Sequence, residues 1–368
     1  MKEQTIRFMR PIDGDVLFSV ADGVAQGDGI CTTITVSARK ERSIEINGVI
    51  AQEKNGVYSA EVFLDGYRNA VEAKDVQTGE SQTIYVYWFR NGYQTYRLGI
   101  DDVIRCFENI YRHQQEYTSI FDDPFLRMFR DLHDTYGTFV HMHIYYENDD
   151  GSFNLSMFPE KYKPEFQKNG NWLKFTFHSR KDQPGSPYKF ASYEQVMKEG
   201  KEVEREIRRF AGAEVLSNVT SQHWADSNLY ATRAFRNLGF HCIDGYFLFD
   251  SNGDPYVSYY LNKEQAAHAF TRDFWVDNRE DIIFVKDDII INEVALDDID
   301  PYMNQLRAKE DHCFMYLLIH EQYFYEDYSH YEADYRERVF CTVKWCHDNG
   351  YRPATITSVA FEPRKQEE

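Results

Sequence analysis

A chain of 368 residues, 42% hydrophobic and 27% charged, is long enough for two domains with sizeable cores and has an ordinary globular composition. Its net charge of −19, from 60 acids against 41 bases, repels a phosphate backbone and argues against nucleic-acid binding. No run approaches the ~18 apolar residues of a membrane helix, and Met1–Arg7 lacks the apolar core of a signal peptide.

The first quarter reads as short strands with no helix. Ile30–Val36, Ser43–Ile46, Val57–Leu64 and Thr83–Phe89 are alternating or β-branched and aromatic, and Asn47-Gly48, Asn55-Gly56 and Asp65-Gly66 punctuate them as hairpin or loop signals. An immunoglobulin-like β-sandwich over residues 1–91 is the natural reading. From Arg90-Asn91-Gly92-Tyr93 onward strands alternate with helical segments, which is α/β organisation. Strand Thr95–Ile100 leads to a helical stretch at Val103–Gln115. Helix Pro124–Tyr136 is closed by Gly137. Strand Thr138–Tyr146, helix Pro159–Lys168, strand Trp172–Phe177 and the long helix Ser192–Phe210 follow. Next come strand Glu214–Thr220, helix Asn228–Leu238 and strand His241–Phe249. Strand Asp281–Ile291, helix Asp298–Lys309, strand Cys313–Ile319, helix Tyr331–Asn349 and strand Ala354–Val359 complete the chain. About seven β/α steps fit a distorted (β/α)7-type barrel over residues 92–368.

Six cysteines are scattered without a Cys-x-x-Cys pair, which fits reduced thiols and a cytoplasmic location. A secreted chain trimmed of its export signal has the same pattern. Aromatic residues reach 16%, with 27 Tyr and 27 Phe, and many tyrosines beside acids suit either a sugar-contacting cleft or an aromatic core.

Chemistry-bearing residues collect at the C-terminal ends of the strands, where α/β folds place their sites. One strand ends in Asp101-Asp102, another in His178-Ser179 followed by Asp182. A third runs into His223-Trp224, and the last long strand ends in His320-Glu321-Gln322-Tyr323. Adjacent Asp residues at a strand end read either as a helix N-cap pair or as two acids with separate tasks, one holding a metal and the other acting as a base. Imidazoles with carboxylates around an open position suit a catalytic divalent ion. His141 and His143 alternate within a strand and read as buried, hydrogen-bonded residues.

Gly99-Ile100-Asp101-Asp102-Val103, His178-Ser179 and Leu317-Leu318-Ile319-His320 are similar to the strand-end motifs of the polysaccharide deacetylase (NodB-homology) superfamily. The resemblance covers roughly residues 94–360. It implies a metal-dependent carbohydrate hydrolase that removes N- or O-acetyl groups from a sugar, with Asp101 as general base and His320 as general acid. Asp102 and His178 then hold a divalent ion, Zn2+ first, with Co2+, Ni2+ or Mn2+ as alternatives. The chain departs from the family pattern at three places. Val103 replaces the glycine after Asp-Asp, Asp182 stands where the second motif has its second His, and His223-Trp224 occupies the place of an Arg-Pro motif. His223 or Asp182 is therefore the expected third ligand, and Glu321 is a further candidate catalytic carboxylate. Trp224, Tyr188 and Tyr323 are candidate substrate-contacting aromatics. The expected partner is a carbohydrate, with neither nucleic acid nor membrane. Two rival readings are a different metal-dependent carbohydrate enzyme on the same barrel and a catalytically inactive glycan-binding protein. The sugar, the acyl group and the oligomeric state are not set by the sequence.

Overall fold

A computed structural model describes residues 6–308 and 313–361. The protein is mixed α/β with several sheets. Contacts divide it into two compact units. One runs to Tyr93 and takes in Phe274–Asp281 and the segment from Ser358; the other comprises Gln94–Asp273 and Ile282–Thr357.

In the first unit two largely antiparallel sheets share one core. The first sheet orders its strands Ile6–Arg10, Gly29–Ala38, Val57–Leu64 and Gln52–Lys54. The second orders Val16–Leu17, Ser81–Trp88, Arg68–Asp75, Ile44–Ile46 and Val49–Ile50. Arg68–Asp75 buries every second residue, as a strand with one solvated face must. Ile34, Val36, Tyr58 and Val62 of one sheet meet Val71, Ala73, Ile84 and Val86 of the other in the common core. The two Asn-Gly pairs do what their chemistry requires. Asn47, Gly48, Asn55 and Gly56 all have positive φ, the requirement of a two-residue type I′ hairpin, and Ile46 pairs with Val49 as Lys54 pairs with Val57.

The second unit is built on parallel strands. Leu173–Ser179, Val140–Tyr145, Thr95–Val103, Phe314–His320 and Ile289–Ile290 lie in that order in one sheet, and Val219–Ser221, Cys242–Gly245 and Ile282–Lys286 form a second parallel set. Every residue of Thr95–Val103 and Val140–Tyr145 is buried, so these strands are covered on both faces, and the polar side chains they carry, Arg97, Asp101, Asp102, His141 and His143, lie inside the protein. An isolated bridge between Phe175 and Leu216 stands between the two sets. The ladders of the described residues do not close into a barrel.

Helices form where stripe and caps agree. Tyr193–Phe210 starts from Ser192, whose hydroxyl accepts from the Gln195 N–H, and buries Val196, Gly200, Val203, Ile207 and Phe210 at helical spacing. Pro124–Tyr136 begins after Asp123 and ends at Gly137 with φ 70°. Several expected boundaries shift. The expected strand Glu214–Thr220 is seen as Val219–Ser221, with Leu216 in the isolated bridge to Phe175. Asp287-Asp288 splits the expected strand Asp281–Ile291 into two short pieces. Ala354–Val359 is no strand: pairing covers Arg352–Pro353, the Ala354 N–H gives a last bond to the Tyr96 carbonyl at 2.9 Å, and Thr357–Phe361 is a helical turn. The expected helix to Lys309 is seen as Ile299–Arg307, and Lys309 lies outside the described residues. No helix among the described residues is long and apolar enough to cross a membrane.

Candidate metal centre

The Thr95–Val103 strand carries one extra residue at its end. Ile100 pairs with Met142 and Val103 with Ile144, three steps on one strand against two on its neighbour. That bulge is accommodated by Asp102 at φ 64°, a left-handed conformation that Asp tolerates better than most residues. Neighbouring residues of a regular strand point to opposite faces. The bulge instead brings both carboxylates into one buried cluster, each with its own partners.

Asp102 Oδ1 lies 3.2 Å from His178 Nε2 and 3.3 Å from His223 Nδ1, and those two nitrogens are 3.2 Å apart. All three residues are buried. His178 Nδ1 donates to the Ser221 carbonyl at 2.7 Å, so in the neutral ring Nε2 offers a lone pair. His223 Nε2 donates to the Asp182 carbonyl at 3.0 Å, so Nδ1 is its free acceptor. Two imidazole lone pairs and a carboxylate oxygen facing one another at this spacing repel unless a cation or a proton lies among them. Ligands about 2.0–2.1 Å from a tetrahedral ion stand roughly 3.3 Å apart, so the donor set fits such an ion. Gln322 Nε2 holds the other Asp102 oxygen at 2.7 Å.

The electrostatics favour ionised acids and a cation. Burial pushes the Asp102 carboxyl up, but with no ion between them the protonated rings of His178 and His223 donate to it, which outweighs burial and holds the group well below the usual carboxylate range. Burial alone lowers the pKa of His223; the carboxylates of Asp102 and Asp182 reverse this and raise it to about 9.

Asp101, His143 and His178 form a second, overlapping group. It is less suited to an ion. Arg97 Nη2 lies 3.0 Å from His143 Nε2, and a guanidinium can only donate, so Nε2 accepts and Nδ1 carries the ring proton toward Asp101 Oδ1. His143 therefore has no lone pair left. Asp101 Oδ2 accepts from the Ser221 hydroxyl at 2.9 Å. Burial raises the Asp101 carboxyl, and the imidazoles of His178 and His143 more than offset that, so it too lies below its ordinary value. Arg97 is fully buried, its second arm 3.7 Å from Asp244 and its plane over the Tyr316 ring.

No protein-family profile and no curated protein matches the chain. Among solved structures, a "putative polysaccharide deacetylase" from Mycobacterium smegmatis aligns at 10% identity over 75% of this chain and 92% of that one, with a TM-score of 0.43. A "putative alpha-galactosidase/melibiase" from Bacteroides fragilis aligns at 11% identity over 66% of this chain and 57% of that one, with a TM-score of 0.17. At these scores neither likeness assigns a fold or a function.

The remaining expected site residues fall in different places. Asp182 Oδ1 lies 3.3 Å from His223 Nε2, the nitrogen not turned toward Asp102 Oδ1, and 3.4 Å from the Tyr145 hydroxyl that also bonds Asp102; it orients that imidazole and is not one of the three residues whose donor atoms converge. His320 is paired in register with Asp101, and its Nδ1 lies 2.9 Å from Asn292 Oδ1, an amide oxygen that only accepts, which leaves Nε2 free. Tyr323 is half-buried beside His320. Trp224 is 57% exposed next to His223, with φ 69°.

Two expectations are corrected. Glu321 is 0% exposed and spends both carboxylate oxygens on the backbone N–H groups of Ile104, Arg105 and Cys106 at 2.6–2.8 Å. It caps the helix Arg105–Arg112, which has no cap of its own, and is not positioned for catalysis. Tyr188 is also 0% exposed, its ring packed on Phe177 and Phe235 and its hydroxyl bonded to Glu199, so no sugar can reach it.

The sequence reading missed His143, Tyr145, Arg97, Ser221, Asn292 and Gln322 as site neighbours. For two of them a signal was present. His141-Met142-His143-Ile144-Tyr145 alternates polar and apolar residues, and the strand beside Asp101-Asp102 aims that polar face at the acids.

Proposed function

We propose that this protein is a divalent-metal-dependent carbohydrate hydrolase of the polysaccharide deacetylase type, removing an N- or O-acetyl group from a sugar. The single observation that carries the reading is the convergence of Asp102 Oδ1, His178 Nε2 and His223 Nδ1 at 3.2–3.3 Å beside the strand-end pair Asp101 and His320. Asp102, His178 and His223 hold the ion, and Asp182 fixes the tautomer of His223 through its Nε2. When bound, the ion supplies Lewis-acid polarisation of the acetyl carbonyl and a lowered pKa for water.

The chain's own groups do the rest. Asp101, ionised and held by His143 and Ser221, takes the water's proton on a carboxylate oxygen. His320, its Nδ1 engaged by Asn292, presents Nε2 to give a proton to the leaving nitrogen or oxygen. Trp224 and Tyr323 flank these residues as sugar-contacting rings. On this reading the parallel strands of the second unit belong to a distorted (β/α) barrel over residues 92–368, and residues 1–91 make an immunoglobulin-like sandwich.

The direct test is acetate release from a panel of acetylated sugars by the Zn2+-, Co2+-, Ni2+- and Mn2+-loaded protein, beside Asp101→Asn and His320→Ala. Turnover that survives both substitutions contradicts the assigned roles. A second reading, glycan binding without turnover, draws on one observation: both oxygens of Asp101 already accept hydrogen bonds. Sugar affinity with no acetate release under any metal favours it.

A further inference from the structure

We infer that the second unit carries a separate anion site among its helices, fitted to the phosphate group of a small molecule. The site uses no residue of the metal centre and goes beyond the proposed function.

A cavity of about 500 Å3 lies between the turn Ile120–Asp122, the helix Pro124–Tyr136 and the helix Lys163–Asn169. That volume suits a small-molecule ligand. Its lining carries three cations, Arg130, Lys161 and Lys168, against one acid, Glu165. In a chain of net charge −19, a cavity with an excess of positive charge runs against the surrounding field.

The cations are held in place without being neutralised. The Arg130 guanidinium lies over the Phe121 ring, 4.8 Å from its centroid, and Phe121 stacks in turn on Trp172. Arg130 Nε is buried and has no acceptor among the described residues. Lys161 Nζ donates to the backbone carbonyls of Gln114 and Tyr117 and lies 4.6 Å from the centre of the Tyr162 ring. Among the described residues no carboxylate pairs with Arg130, Lys161 or Lys168. Glu165 is engaged elsewhere: its oxygens accept from the Ser119 hydroxyl at 2.7 Å and the Ile120 N–H at 2.8 Å.

Ring faces and carbonyls orient a cation but bring no charge to cancel it. Three positive charges against one negative leave two uncompensated at the cavity. A buried guanidinium N–H without an acceptor is costly, and an anion restores the missing bond. Arginine offers a planar fork to two oxygens of a phosphate, and lysine adds a point charge beside it. A phosphate monoester carries about −1.5 to −2 at neutral pH, which matches the excess, whereas a single carboxylate supplies half of it.

The test is isothermal titration calorimetry of the full-length protein with glycerol phosphate, inorganic phosphate, glycerate and glycerol. Both phosphates are expected to bind, glycerate at least about tenfold more weakly, and glycerol not at all. Arg130→Gln is expected to weaken glycerol phosphate by about 10–100-fold and Lys168→Gln by about tenfold. Lys168 is exposed, so its variant keeps the fold, and circular dichroism checks both proteins. Neither residue belongs to the metal centre, so a loss in these variants is not the loss of an ion. No binding of either phosphate at millimolar concentration overturns the site and leaves the cavity to water. Binding that both substitutions leave within about twofold overturns it as well. Glycerate bound as tightly as glycerol phosphate overturns the choice of phosphate. None of these failures touches the proposed function, which metal content and acetate release decide.

Discussion

Replacing Glu321 by Gln tests whether this carboxylate is a helix cap or a catalytic acid. The side chain reaches across 217 residues of sequence to the start of the helix Arg105–Arg112, where its oxygens accept from Ile104 N at 2.6 Å, Arg105 N at 2.8 Å and Cys106 N at 2.7 Å. That helix has an Ile at its N-cap and no side-chain cap of its own. Gln keeps one oxygen but turns an NH2 toward at least one backbone donor. One charge-assisted bond is lost, worth about 1.5–3 kcal/mol, and a buried N–H is left without an acceptor at about 1–3 kcal/mol. The favourable charge at the helix N-terminus adds up to about 2 kcal/mol. Burial already pushes the Glu321 carboxyl up from its ordinary value, which offsets part of that charge benefit. These contributions overlap, so about 2–4 kcal/mol is the expected loss. With a urea slope of about 1–3 kcal/mol per M, the unfolding midpoint should fall by roughly 0.7–4 M. Acetate release well below the unfolding range should change less than about threefold. A variant with an unchanged midpoint and abolished turnover would refute the capping account and return Glu321 to the catalytic set.

Other substitutions and conditions separate the remaining roles. With His223 raised to about 9 by Asp102 and Asp182, its proton is held at neutral pH and must leave when an ion binds. Apparent Zn2+ affinity should therefore rise about tenfold per pH unit from pH 7 to pH 9 and level off above, as read by competition titration; a flat profile contradicts the raised value. Arg97→Met strands Asp244 and frees the tautomer of His143, and should cost about 3–5 kcal/mol in denaturant unfolding. A cost under 1 kcal/mol would mean that the guanidinium is not the anchor of this network. Trp224→Ala removes an exposed ring and should weaken sugar binding severalfold while moving stability by no more than about 0.5 kcal/mol; unchanged sugar affinity removes Trp224 from the substrate site.

What the sequence disclosed and what it hid have physical reasons. Asn47-Gly48 and Asn55-Gly56 announce two-residue hairpins because both residue types accept positive φ, and the type I′ turn this allows matches the twist of the flanking strands. The caps at Asp123 and Gly137 bound their helix to the residue. Asp101, Asp102, His178 and His223 were legible because strand ends are where parallel folds gather side chains, and the structure brings all four together. Glu321 misled because a carboxylate beside His320 looks the same in one dimension whether it meets a substrate or a helix terminus more than 200 residues away. Tyr188 misled because exposure is not encoded in a Tyr. The bulge at Asp102 was hidden as well, since an extra residue is visible only against its pairing strand. Asn292 and Gln322 carry no local signal; they matter only through the atoms they touch.

The most direct test of the account is elemental analysis of the purified protein after reconstitution with Zn2+, Co2+, Ni2+ or Mn2+, beside the Asp102→Ala, His178→Ala double variant. The account predicts close to one equivalent of ion in the wild type and about none in a double variant that remains folded by circular dichroism. A wild type that holds no ion under any of these conditions, or a folded double variant that retains it, contradicts the metal centre and with it the hydrolase reading.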